Sequence, residues 1–170
     1  MVTKIGLCLV VFLFCAQAVD YGLHGDHWAL EGFVEDIKRE VKPHERIFME
    51  DLSGRLALLS QRRFVSGDGL VNSNAYLHDY LKQGRIGDYL RILPIDYFLT
   101  SNIQCYPYRK RMPWVHDVVR TMNDEYLVVI DLHNYLTKMP MKPSIILFPA
   151  DHLVFDKCVN GFRELLFRVQ

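Results

Sequence analysis

The sequence predicts an α/β fold: a small, mostly parallel sheet of about five strands flanked by helices, preceded by one N-terminal hydrophobic helix. Three observations carry this expectation. Ile47-Phe48-Met49 and Phe64-Val65 are short apolar runs about fifteen residues apart, with a brief apolar helix (Leu56, Leu58, Leu59) between them. Parallel strands need a crossover of roughly a dozen residues, usually a helix, and such crossovers are right-handed. Further strand-like runs at Ile95–Leu99, Tyr126–Leu132 and Ser144–Phe148 alternate with helical patterns, as in layered α/β domains. Half of the 170 residues are hydrophobic and 12% are aromatic, which is ample for a packed core.

Residues 1–19 set the compartment. Ile5 to Val19 is apolar apart from Gln17 and follows Lys4. It reads either as a signal peptide ending in Ala16-Gln17-Ala18 or as an uncleaved membrane anchor. Both place the rest of the chain on the extracytoplasmic (periplasmic) side, with Lys4 on the inner flank. Residues 20–42 form a Gly-containing linker and then an amphipathic helix. Leu30, Phe33, Val34, Ile37 and Val41 share one face of it, and Glu31, Glu35, Lys38 and Arg39 lie away from that face. Pro43 stops this helix, and residues 43–170 form the α/β domain.

Within that domain the first strand-helix-strand unit ends at Ser66-Gly67-Asp68-Gly69. The two glycines let the backbone approach something closely. Asn72 or Ser73 then caps a helix with the stripe Tyr76, Leu77, Tyr80 and Leu81, closed by Gly84. A second helix, Ile86 to Leu93, buries Ile86, Tyr89, Leu90 and Leu93. Ile95–Leu99 makes the third parallel strand, with Asp96 at a strand end or facing solvent. Pro113 starts a further helix carrying Trp114, Val115, Val118, Val119 and Met122. Tyr126–Leu132 and Ser144–Phe148 follow as strands antiparallel to each other. The last helix spans about Phe155 to Val169, with Val159, Phe162, Leu165, Leu166 and Val169 on one face.

Charge and spacing narrow the function classes. Twenty basic and twenty acidic residues cancel, so no overall field favours nucleic acid. Arg109-Lys110-Arg111, beside Tyr106 and Tyr108, reads as a solvated loop. His24 and His27 lack a third nearby ligand and read as linker residues. Ser53-Gly54-Arg55 has neither glycine-rich nucleotide spacing, Ser66 is not in a nucleophile elbow, and no cofactor is expected. Asp131 and His133 share a strand face without an identifiable nucleophile. Cys105 and Cys158 either pair outside the cytoplasm or remain two buried thiols.

One cluster stands out. Glu50 and Asp51 follow the first strand, and Asp68, Gly69 and Asn72 follow the second. Ligands of open α/β sheets bind at such carboxyl ends. Three carboxylates there can hold a divalent cation or act as acid and base. The plainer alternative is that they cap a helix and stabilise a turn. No metal is assigned.

The order of these features carries a resemblance. Glu50-Asp51, Gly54 to Ser60, Asp68-Gly69-Leu70-Val71-Asn72, Tyr76 to Tyr89 and Ile95-Asp96-Tyr97 stand in sequence between Pro43 and Leu99. This arrangement resembles the C-terminal extracytoplasmic domain of bacterial GT-C-type glycosyltransferases, membrane enzymes that use polyprenyl-phosphate sugars. Ile5–Val19 would match the last membrane helix of that family. The family's catalytic acidic residues lie in a membrane bundle that this chain lacks, so the resemblance transfers no catalytic residue. It implies a non-catalytic domain that binds a glycan, a lipid-linked sugar or a partner glycosyltransferase subunit through Glu50, Asp51, Asp68, Gly69 and Asn72. The alternatives are an exported hydrolase or transferase using Asp51 and Asp68, or a truncated glycosyltransferase fragment.

Overall fold

The structure, a computed structural model, describes residues 27–49, 53–67, 73–104, 115–131, 141–159 and 162–170. Its elements are α1 (His27–Glu40), β1 (Arg46–Met49), α2 (Ser53–Ser60), β2 (Arg63–Ser66), a π-helix (Tyr76–Leu81), α3 (Ile86–Ile92), β3 (Tyr97–Gln104), β4 (Val115–Arg120), β5 (Glu125–Asp131), β6 (Ser144–Pro149), a 3₁₀ turn (Ala150–His152), β7 (Leu153–Val159) and β8 (Phe162–Arg168).

A five-stranded sheet has the order β2-β1-β3-β8-β7, and a second sheet has the order β4-β5-β6. β1 pairs in parallel with β2, as their short crossover predicts, and with β3, as expected of the first three strands. The pairs β3–β8 and β7–β8 are antiparallel, as are β4–β5 and β5–β6. Four of the six pairings are therefore antiparallel, and the expected mostly parallel sheet is instead mixed.

Strand alternation sorts the core into two layers. Ile47, Met49, Tyr97, Leu99 and Leu166 face α1 and α2, meeting Phe33, Val34, Ile37, Val41 and Leu56. Phe48, Phe98, Leu165 and Phe167 face the other way, against Tyr76, Leu81, Ile86 and Leu90 and the inner face of the second sheet (Tyr126, Val128, Ile130, Ile146, Phe148). Strands covered on both faces read as continuous apolar runs, which is why Ile47-Phe48-Met49 and Leu165-Leu166-Phe167 lack a polar partner face. α2 is less buried than its three leucines predict. Only Leu56 is buried, and Leu58 is 79% exposed.

Side chains fix the junctions. The Arg62 guanidinium donates from Nε to the Val41 carbonyl at 2.6 Å and from Nη2 to the Lys38 carbonyl at 2.8 Å. It thereby satisfies carbonyls that the end of α1 leaves without helical partners. Asp96 lies just before β3, where its carboxylate accepts the Arg46 N–H at 2.7 Å. Its own N–H donates to the Arg46 carbonyl at 3.0 Å. Asp96 thus ties the start of β1 to the start of β3.

The helix expected after Ser73 is π-helical. Lys82 N–H donates to the Leu77 carbonyl and Arg85 N–H to the Tyr80 carbonyl, each five residues back. This wider winding brings residues five apart nearly into line, so Tyr76 and Leu81 are both buried. Ser73 Oγ accepts the Tyr76 N–H at 3.2 Å, the cap expected of it. Gly84 closes the segment with φ +69°, and a Cβ there would lie 2.5 Å from the Pro143 carbonyl oxygen. Gly84→Ala therefore combines left-handed strain with a backbone clash. It is expected to destabilise the fold by roughly 2 kcal/mol, measured as a lower urea midpoint with an unchanged slope.

Two expected helices are strands. Residues 115–120 form β4 rather than a helix reaching Met122. The valine spacing mimics a helical stripe, but β-branched side chains fit a pleated surface better. Asp124, at φ 58°, turns the chain from β4 into β5. The predicted final helix is the hairpin β7–β8, in register Val159↔Phe162 with Asn160-Gly161 between. The strands expected at 126–132 and 144–148 are present as β5 and β6, but they lie in the second sheet. Ile5–Val19 lies outside the described residues. Among those described, no helix is long and apolar enough to cross a membrane.

Candidate functional site

β1 and β2 end side by side. Met49 is the register partner of both Ser66 and Leu99. The carboxyl ends of the two adjacent parallel strands therefore stand level. The five residues singled out there, Glu50, Asp51, Asp68, Gly69 and Asn72, lie outside the described residues, as does His133. What the structure gives is the ground that flanks them in sequence.

That ground is held at each side. Gly67 N–H donates to the Met49 carbonyl at 2.7 Å, and the Tyr76 hydroxyl donates to the Gly67 carbonyl at 2.8 Å. The sequence predicted that this glycine admits a close approach. The approaching group is the Phe48 ring, whose Cε1 would lie 2.8 Å from a Cβ at residue 67. Gly67 thus seals the core over Phe48 at the end of β2. Ser73, which follows residues 68–72 in sequence, is fixed by its bond with Tyr76.

Aromatic rings form the layer underneath. Phe48 stacks on Phe98 at 5.9 Å and meets Tyr89 edge-on at 6.2 Å. Tyr89 packs against Tyr76 at 4.5 Å and Tyr80 at 5.2 Å. Such rings bury large areas with defined geometry and give the ends of β1 and β2 a rigid base.

Reading the sequence missed one buried acid. Glu164, on β8, has 0% exposure, and neither carboxyl oxygen has a hydrogen-bond partner among the described residues. Burial, reinforced by repulsion from Asp36 and opposed by Lys157, pushes its pKa up to about 9. It is therefore a neutral acid at physiological pH. Asp36, on α1, is also mostly buried. Burial works against its charge, but hydrogen bonds from Lys157 and Arg39 outweigh that and hold it below the usual carboxylate range. Arg39 approaches it at 2.9 Å, and Lys157 reaches it from β7. With no exposed atom, Glu164 cannot hand a proton to a substrate. Its one sequence signal is an acid inside an apolar run.

Cys158, on β7, is disulfide-bonded. It is not one of two lone thiols, and its partner lies outside the described residues. Comparison with family models, curated proteins and solved structures finds no significant match to the chain.

Proposed function

We propose that the chain is an extracytoplasmic binding domain that takes a glycan or lipid-linked sugar at the rim above β1 and β2. Glu50, Asp51, Asp68 and Asn72 would receive the sugar hydroxyls, and Gly69 would admit close backbone approach. The observation carrying this reading is the level ending of two adjacent parallel strands at Met49 and Ser66. Ligands of open α/β sheets sit at such ends, and carboxylates accept hydrogen bonds from hydroxyl groups. The sequence resemblance from Pro43 to Leu99 points to the outer domain of a membrane glycosyltransferase, consistent with a sugar-phosphate lipid or a partner enzyme nearby. The disulfide at Cys158 and the apolar stretch Ile5–Val19 support placement in an oxidising, extracytoplasmic compartment.

The test is isothermal titration of the full chain with a polyprenyl-phosphate hexose in detergent micelles, against empty micelles. Saturable binding is expected, weakened at least tenfold by Asp68→Asn with an unchanged melting temperature. Absence of heat above the micelle blank would overturn the proposal. Release of free hexose during the titration would replace it with the hydrolase reading, in which Asp51 and Asp68 act as acid and base.

A further inference from the structure

A cleft of about 240 Å³ lies between α3 and β6. Gly87, Leu90 and Arg91 line one wall, and Ile145 to Pro149 line the other. Among the described residues, β6 is the last strand of its sheet and pairs only with β5. Its backbone polarity follows from one bond. Ala150 N–H donates to the Asp124 carbonyl at 3.0 Å, and the register runs on through Glu125↔Pro149 and Tyr126↔Phe148. In antiparallel pairs, hydrogen-bonded positions alternate with non-bonded ones. Phe148, Ile146 and Ser144 therefore turn their N–H and C=O groups toward β5. Ile145 and Leu147 turn theirs away, into the cleft, and Pro149 adds a carbonyl there. Among the described residues these outward groups have no partner, and the Ile145 and Leu147 side chains are 61% and 54% exposed.

An open strand edge beside an apolar cleft is the geometry that binds extended peptides by adding a strand, with backbone bonds giving affinity and side-chain pockets giving selectivity. The charge at the mouth selects further. Of the charged residues of α3, Arg91 lines the cleft; its carboxylate neighbour Asp88, at 3.5 Å, is held more closely by Arg85, at 2.8 Å, so the trio keeps one net positive charge. His152 stands across the mouth, its Nδ1 bonded to the Arg168 carbonyl at 2.9 Å. We propose that β6 accepts an extended segment of a partner protein, with alternating apolar residues seated in the cleft and an acidic group against Arg91. This site is independent of the sugar rim and stands or falls separately from it.

The test selects a random heptapeptide library, displayed on phage, on the oxidised full chain, followed by fluorescence anisotropy of the enriched peptides. Enriched peptides should alternate apolar residues and carry an acidic one. Methylating their backbone nitrogens at alternate positions should weaken binding at least tenfold. Gly87→Leu, which fills the cleft from α3, should do the same. So should Leu147→Pro, which deletes one outward N–H at an edge position that tolerates proline. If Leu147→Pro misfolds by circular dichroism, the methylated peptides decide without any change to the protein. Failure to enrich any peptide, or binding indifferent to both N-methylation and Gly87→Leu, would overturn the proposal.

Discussion

Glu164→Gln is expected to raise stability at neutral pH by roughly 3 kcal/mol and to abolish most of the loss of stability with rising pH. The native carboxyl titrates near 9, against 4.5 for the free side chain, because burial and the neighbouring Asp36 disfavour its charge. The native state therefore holds a proton that the unfolded chain releases across that window. The contribution of Glu164 is most favourable below about pH 4.5, declines by up to about 1.4 kcal/mol per unit as pH rises, and levels off above about 9. Asp36 acts in the opposite sense. Its lowered value contributes stability that is present above the ordinary carboxylate range and lost as pH falls through the folded value. The two are separable by working above about pH 5, where Asp36 stays ionised. Glutamine keeps the shape and the unbonded polar end of the protonated acid, so the neutral form is mimicked at every pH. Urea midpoints at about pH 5 and about pH 8.5 decide the matter. Equal pH slopes for the wild type and Glu164→Gln would show that Glu164 is hydrated or paired in solution.

Phe48→Ala is expected to cost about 4 kcal/mol, among the largest single losses in this fold. The ring has no exposed surface, stacks on Phe98 and supports Gly67 from below. Its loss opens a void beneath Gly67 that rigid aromatic neighbours cannot close. Gly67→Ala attacks the same contact from above and is expected to cost about 2 kcal/mol through overpacking. The two effects are coupled. In a Phe48→Leu background the added methyl meets a smaller side chain, and the cost of Gly67→Ala should fall by about 1 kcal/mol or more. A double-mutant cycle by denaturation measures this. Strict additivity would mean that the glycine is retained for another reason, such as backbone freedom at the rim.

The first half of the domain was legible because its signals are local. Two apolar triplets a helical crossover apart leave little choice but a parallel pair, and Pro43, Ser73 and Gly84 mark ends by known chemistry. The last third misled because Val115, Val118 and Val119, and again Val159, Phe162, Leu165, Leu166 and Val169, recur at three and four residues as in a helix. Better weight on turn chemistry would have corrected both readings. Asn160-Gly161 is the strongest short hairpin signal, and Asn123-Asp124 favours a left-handed turn. The placement of the late strands depends on partners far away in sequence, which periodicity does not encode. Glu164 belongs to that class. Its burial is imposed by α1, more than a hundred residues upstream, so no neighbouring residue announces it. For the rim, sequence reading located the strand ends and the close approach at Gly67, and the structure supplied what approaches it.

The position of β8 sets a constraint on how the molecule is made. β8, the last of the described strands, lies inside the sheet, between β3 and β7, not at its margin. While the polypeptide is being synthesised, β3 waits with an unsatisfied edge until Phe162–Arg168 arrives. The five-stranded sheet therefore closes only once β8 has emerged, and a chain halted before Phe162 presents an adhesive strand edge.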